Sequence, residues 1–139
     1  MSTTSSGYPV GVAVILVDEH NRVLLGLRAS EQLWASFGGR LEAGESAHAG
    51  ARREIQEELG IELGDLTPLF FGEGTKLDGT PYVTLYFLSQ LLPGQTPVVQ
   101  EPHLAEKLDW FDINSLPTNM WARERALILR TLDTSFLSL

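Results

Sequence analysis

The chain has 139 residues, 43% of them apolar and 20% charged, the composition of a globular protein that can bury a full core rather than of a disordered or minimal scaffold. Eighteen acidic residues against ten basic ones give a net charge of −8, which disfavours long nucleic acids and acidic membranes as partners. The absence of cysteine excludes disulfides and thiol chemistry, whereas a small phosphorylated ligand stays open, because a divalent cation can invert the field inside a cleft lined by carboxylates.

The opening "MSTTSSGY" lacks the basic and apolar regions of a signal peptide, and no apolar run approaches the ~18 residues of a membrane span. Residues 1–8 are therefore read as a flexible start, residues 9–139 as one domain, and the location as cytoplasmic. Two apolar runs, Val10 to Val17 and Val23 to Leu27, flank the polar "DEHN" and predict a hairpin or adjacent strand pair. "ASEQLWASFGGRLEAGES", rich in Gly and small residues, leads into "SAHAGARREIQEELG". There Ala47, Ala51, Ile55 and Leu59 share one face of an amphipathic helix that stops at Gly60. "DLTPLFFGEG" and "YVTLYFLSQLL" read as strands around the turn signal "LDGTP", "DWFDI" as a further short strand, and Asn119 to Leu132 as a closing helix. Strands, a central helix, more strands and a terminal helix indicate a layered α/β or α+β fold.

On the central helix, Glu54, Glu57 and Glu58 stand at i, i+3 and i+4, so three like charges share one patch. A solvated acidic face is the ordinary explanation, since such repulsion costs only a few tenths of a kcal/mol. The chemical explanation is a cation site, because Mg²⁺ takes oxygen ligands and neutralises grouped carboxylates.

The wider frame "GGRLEAGESAHAGARREIQEELGI" decides between them. From Gly39 it places Glu45, Arg53-Glu54, Glu57-Glu58, Gly60 and an apolar Ile61 at every position that the Nudix box specifies. A chance match is on the order of one in ten million at average residue usage. The chain resembles the Nudix hydrolases from roughly Val10 to Leu132, with the box as the most specific part. The resemblance implies an α/β/α sandwich with a central mixed sheet, and metal-dependent hydrolysis of a nucleoside diphosphate linked to another moiety.

Carried over residue by residue, the resemblance makes Glu54, Glu57 and Glu58 metal-binding carboxylates, with the Gly38 carbonyl completing the inner site. Glu54 orients or deprotonates the attacking water in some members. Arg53, i, i+4 from Glu57, can hold that carboxylate's rotamer. Glu45 suits the helix N-terminus, supporting the loop or assisting metal, or serving as no more than a helix-start residue. Glu101 is a candidate further metal carboxylate, or an exposed loop acid. Mg²⁺ is the implied cofactor, with Mn²⁺ as substitute. Arg28 matches a basic position that reaches phosphate, Gly39 permits close backbone approach, and Phe37, where relatives often carry Pro, is expected to pack in the core or else to stack on a base.

"EPHLAEKLDWFDINSLP" resembles the C-terminal portion of a MutT-type subgroup acting on nucleoside triphosphates, through Glu101-Pro102, Asp109-Trp110-Phe111 and Leu116-Pro117. Leu104 and Leu108 depart from that outline. The expected reaction is cleavage of a nucleoside triphosphate to monophosphate and pyrophosphate. The alternative is hydrolysis of a nucleoside diphosphate sugar or related derivative. A binding module without catalysis is disfavoured, since no box carboxylate is lost. His20, His48 and His103 are assigned no catalytic role, Trp34, Tyr82, Tyr86 and Trp110 are read as core or cleft-wall residues, and the oligomeric state is left open, a homodimer being the state many small relatives adopt.

Overall fold

The computed structural model describes residues 9–76 and 78–132; residues 1–8, read above as a flexible start, and 133–139 lie outside the described residues. Strands β1 (Val10–Val17) and β2 (Arg22–Leu27) flank a turn in which the Asp18 carboxylate accepts from the backbone N–H groups of His20 and Arg22. Strands β3 (Trp34–Ala35) and β4 (Phe37–Arg40) lead into helix α1 (Ala47–Leu59). There follow β5 (Thr67–Thr75), β6 (Pro81–Gln90), β7 (Lys107–Asp112), one turn of 3₁₀ helix at Ile113–Ser115, and helix α2 (Ala122–Leu132).

The sheet is mixed. β1 runs parallel to β6 from Val10↔Val83 to Val17↔Gln90, and β5 closes that edge antiparallel to β6. On its other side β1 pairs with β4 at its start (Gly11↔Arg40 to Val14↔Phe37) and with β2 at its end (Val17↔Val23). β7 pairs along β2 from Arg22 to Leu27, while β3 meets β2 at Gly26 and Leu27. β1 and β2 thus diverge, and the segment 34–40 fills the wedge, its first half on β2 and its second on β1. Ser36 stands at the changeover, between the strands.

Alternation along the strands builds both cores. Val12, Val14 and Leu16 of β1 and Leu24 of β2 face α1, where Ala51, Ile55 and Leu59 are buried. Ile15, Val17, Val23 and Leu25 point the other way, onto Ile128 and Leu132 of α2. A strand apolar on both faces has to be covered on both, and the result is the α/β/α sandwich expected from the sequence.

Two elements differ from the expectation. The Gly-rich lead-in contains two strands, because neighbouring backbones approach too closely there for side chains: a Cβ on Gly38 would overlap the Val12 carbonyl oxygen. The closing helix starts at Ala122 rather than Asn119, because the Asn119 carbonyl accepts from the Trp34 N–H and Met120 bridges to Trp34, drawing these residues into sheet pairing. In β5 the register shifts between Pro68 and Phe71, which leaves Phe70 and Phe71 both exposed on the edge strand.

Candidate active site

Helix α1 is fixed at both ends. Ser46 caps it, its hydroxyl accepting from the Ala49 N–H at 3.1 Å, and Gly60 ends it in the left-handed region at φ 68°. Buried Ala51, Ile55 and Leu59 hold one face against the sheet, and this sets Arg53, Glu54, Glu57 and Glu58 along β4.

Arg53 organises that edge with five hydrogen bonds. It grips both Glu45 oxygens (2.7 and 2.9 Å), reaches Glu54 Oε1 at 2.9 Å and Glu57 Oε1 at 3.2 Å, and donates to the Arg40 carbonyl at 3.0 Å. The Glu57 contact agrees with the helical spacing, but the fork onto Glu45 is the stronger pairing. It holds the Glu45 carboxyl well below the usual range, at about 2. With both oxygens on Arg53, and one also accepting from the Glu42 N–H, Glu45 here serves the loop that leads into α1. Glu54 lies against Gly39, where a Cβ would fall on its carboxylate.

Glu58 is the buried member, 5% exposed, with Oε1 accepting from the Gly38 N–H at 3.0 Å. Burial pushes its carboxyl up to about 7, with Glu54 and Glu101 adding repulsion that Arg28 and the Gly38 N–H offset in part. Glu101 is brought near by its own segment: the Gln100 N–H donates to the Glu58 carbonyl and the Val98 N–H to that of Leu59. Arg28 donates to the Ser36 carbonyl at 3.1 Å and lies 5.8 Å from the centre of the Phe37 ring. Phe37 itself is buried in the core, as expected first, with an edge at the cavity described next.

Among the described residues, no three acidic or histidine side chains converge closely enough to hold an ion by themselves. Arg53 instead holds Glu54 Oε1 and Glu57 Oε1. The donor chemistry nonetheless fits a hard divalent cation: oxygen ligands only, with a buried carboxylate whose ionisation is opposed by neighbouring acids.

A cavity of about 640 Å³ opens on the α2 side of β4, β1 and β6. Gly38, Gly39 and Arg40 border it as well as the carboxylate edge, so one short strand separates the two. Arg28, Arg40, Lys76 and Arg123 line it against a single acid, Glu124, an electropositive cleft in a protein of net charge −8. Tyr82, Tyr86 and Trp121 supply aromatic walls. Tyr82 is held by Gly74, its cross-strand partner, where a Cβ would meet the ring at 2.5 Å.

Sequence reasoning missed Glu124 and Ser36. Glu124 accepts from the Ser36 N–H (2.8 Å), the Ser36 hydroxyl (2.9 Å) and the Tyr86 hydroxyl (3.3 Å). Burial and this neighbouring carboxylate keep the Tyr86 hydroxyl protonated by raising its pKa. Separated by 88 residues, Ser36 and Glu124 carry no local signal that could have paired them. His48 rests on the Phe87 ring at 4.9 Å, while His20 Nε2 and His103 Nε2 lie 3.6 and 3.9 Å from carboxylate oxygens of Glu19 and Glu101.

The profile of the NUDIX domain matches residues 7–131. An oxidized purine nucleoside triphosphate hydrolase of Danio rerio is 30% identical over 123 residues, 80% of this chain and 72% of the relative. The RNA pyrophosphohydrolase of Legionella pneumophila (strain Corby) is 38% identical over 61 residues, 44% of this chain and 35% of its own. The crystal structure of a MutT NUDIX hydrolase from Burkholderia pseudomallei superposes with a TM-score of 0.77 at 31% identity, covering 88% of this chain and 97% of that one. With its box, its α/β/α layers and its carboxylate helix all in place, the chain belongs to the Nudix hydrolases, a family of pyrophosphohydrolases that use divalent metal ions.

Proposed function

We propose that the protein hydrolyses a nucleoside triphosphate to the monophosphate and pyrophosphate, with Mg²⁺ as cofactor and Mn²⁺ able to replace it. The carrying observation is the shared strand: the carboxylates of α1 and a cation-lined cavity of nucleotide size meet across Gly38 and Gly39. Glu54, Glu57, Glu58 and the Gly38 carbonyl would hold the cation, with Glu101 in reach as a further oxygen donor. Bound there, a divalent cation would supply the positive charge that offsets the phosphates and the charge building on the leaving group.

The chain's own residues do the rest. Arg53 and Glu45 lock the acidic face, Arg28 and Gly39 receive the phosphate chain, and Phe37 supports the cavity floor. Glu54 Oε2, the oxygen not taken by Arg53, orients the attacking water and accepts its proton. One water is consumed: its oxygen bonds to phosphorus as the anhydride bond breaks. The likeness to the Danio rerio relative makes an oxidised purine nucleoside triphosphate the first substrate to test.

The protein's partner is this small nucleotide. Its negative charge weighs against polymeric nucleic acid, and no helix of the described residues is long and apolar enough to cross a membrane. A cytoplasmic location and a homodimer complete the proposal, the latter checked by light scattering.

The test is a steady-state panel of ordinary and oxidised purine triphosphates and nucleoside diphosphate sugars, with Mg²⁺ and with EDTA. Pyrophosphate from a triphosphate, abolished by EDTA, is the expected result. Faster release of sugar phosphate from a sugar nucleotide would overturn the assignment in favour of the diphosphate-derivative alternative.

A further inference from the structure

The cavity's one carboxylate belongs to a chain of contacts that ends at the carboxylate edge. Glu124 sits in the first turn of α2, where the helix dipole favours an acid. It spends its oxygens on Ser36, accepting from the N–H at 2.8 Å and from the hydroxyl at 2.9 Å. Ser36 is 4% exposed and stands where the chain leaves β2 for β1, so its N–H is satisfied from α2. Its carbonyl accepts from Arg28, and two residues on, the Gly38 N–H bonds Glu58 Oε1 at 3.0 Å.

We infer that Glu124 is a positioning residue: by holding Ser36 it fixes the start of β4, and with it the Gly38 backbone on which the carboxylate site depends. The physical reason is the wedge. Only two residues of β3 and four of β4 anchor this segment, to two different strands, and nothing in either ladder restrains the residue between them. Without Glu124, the Ser36 N–H and hydroxyl would be buried without partners, and the segment would have to shift to reach water. A shift at Ser36 moves Gly38 with it. The inference rests on reading α1 and Gly38 as a cation cradle.

Mn²⁺ affinity of the full chain without nucleotide, measured by calorimetry, tests it alongside steady-state kinetics on a nucleoside triphosphate. Glu124→Ala should weaken Mn²⁺ by about tenfold and lower kcat by at least about tenfold, the scale typical of partners that orient ligating groups, with KM within about threefold. Glu124→Gln, which keeps an oxygen for the Ser36 N–H, should restore both to within about threefold of the parent. A raised KM with unchanged kcat and unchanged Mn²⁺ affinity would overturn the inference, making Glu124 a contact of the substrate itself. Should Glu124→Ala fail to fold, Glu124→Asp decides, since the shorter side chain draws the carboxylate away from both Ser36 donors: unchanged Mn²⁺ affinity there sinks the idea and a loss of about threefold or more sustains it. No Mn²⁺ binding by the parent protein would defeat the cradle reading, and this inference with it.

Discussion

Replacing Glu58 by Gln should make the protein more stable while disabling it. In the absence of metal, the Glu58 carboxyl is held at about 7 against an ordinary 4.5, chiefly by burial and then by Glu54. Because the folded state binds the proton more tightly than the unfolded chain, this group's contribution is fully present below pH 4.5 and is lost as the pH rises to 7. Above that range, keeping the carboxylate ionised costs roughly 3–4 kcal/mol at most, at about 1.4 kcal/mol per unit of pKa. The Gln amide oxygen can still accept from the Gly38 N–H but carries no charge into the fold. In EDTA at pH 8, Glu58→Gln is therefore expected to unfold at a higher urea concentration than the parent, by about 1–3 kcal/mol, with the difference vanishing near pH 4.5. Mg²⁺-dependent turnover of the same variant should fall by orders of magnitude. Paired melts across this pH range and one kinetic series make the check; lower stability at pH 8, or turnover within about threefold of the parent, refutes the reasoning.

Arg53→Lys should lower kcat by about 10–100-fold, because one ammonium cannot span Glu45, Glu54, Glu57 and the Arg40 carbonyl as the guanidinium does. NMR titration of that variant should show the Glu45 carboxyl moving up from about 2; the stability this pair contributes is present above pH 4.5 and lost as the pH falls from there through about 2. Gly39→Ala places a methyl on the Glu54 carboxylate, so turnover should drop more than about tenfold while far-UV circular dichroism stays the same; full activity would place Glu54 outside the chemistry. Gly60→Ala forces a side chain into φ 68° at the helix stop and should cost about 1–2 kcal/mol in urea melts, with kcat at 25 °C unchanged.

The residues that recognise one another along the chain were readable without coordinates. Ala51, Ile55 and Leu59 mark the buried face of α1, Gly60 its end, and the spacing from Gly39 to Gly60 identifies the box, because helical period and glycine conformation are local properties. The apolar runs Val10 to Val17 and Val23 to Leu27 likewise mark two strands on either side of a turn. Strands β3 and β4 escaped the sequence reading since they are only two and four residues long, and close backbone approach at Gly38 looks, in one dimension, like loop composition.

Three matters were decided only by the tertiary structure. Arg53 chooses Glu45 more strongly than Glu57, although the latter is its helical neighbour, because the loop before α1 folds back to offer both carboxylate oxygens to one fork. Glu58 is singled out from three adjacent carboxylates by burial against β4, a difference that identical side chains cannot express in sequence. Ser36 and Glu124 meet because β1 and β2 diverge and α2 closes over the gap. Composition and periodicity determine which faces are buried and where a helix stops; which polar group answers which depends on the path of the chain between them, and that path is fixed only when both faces of the sheet are covered.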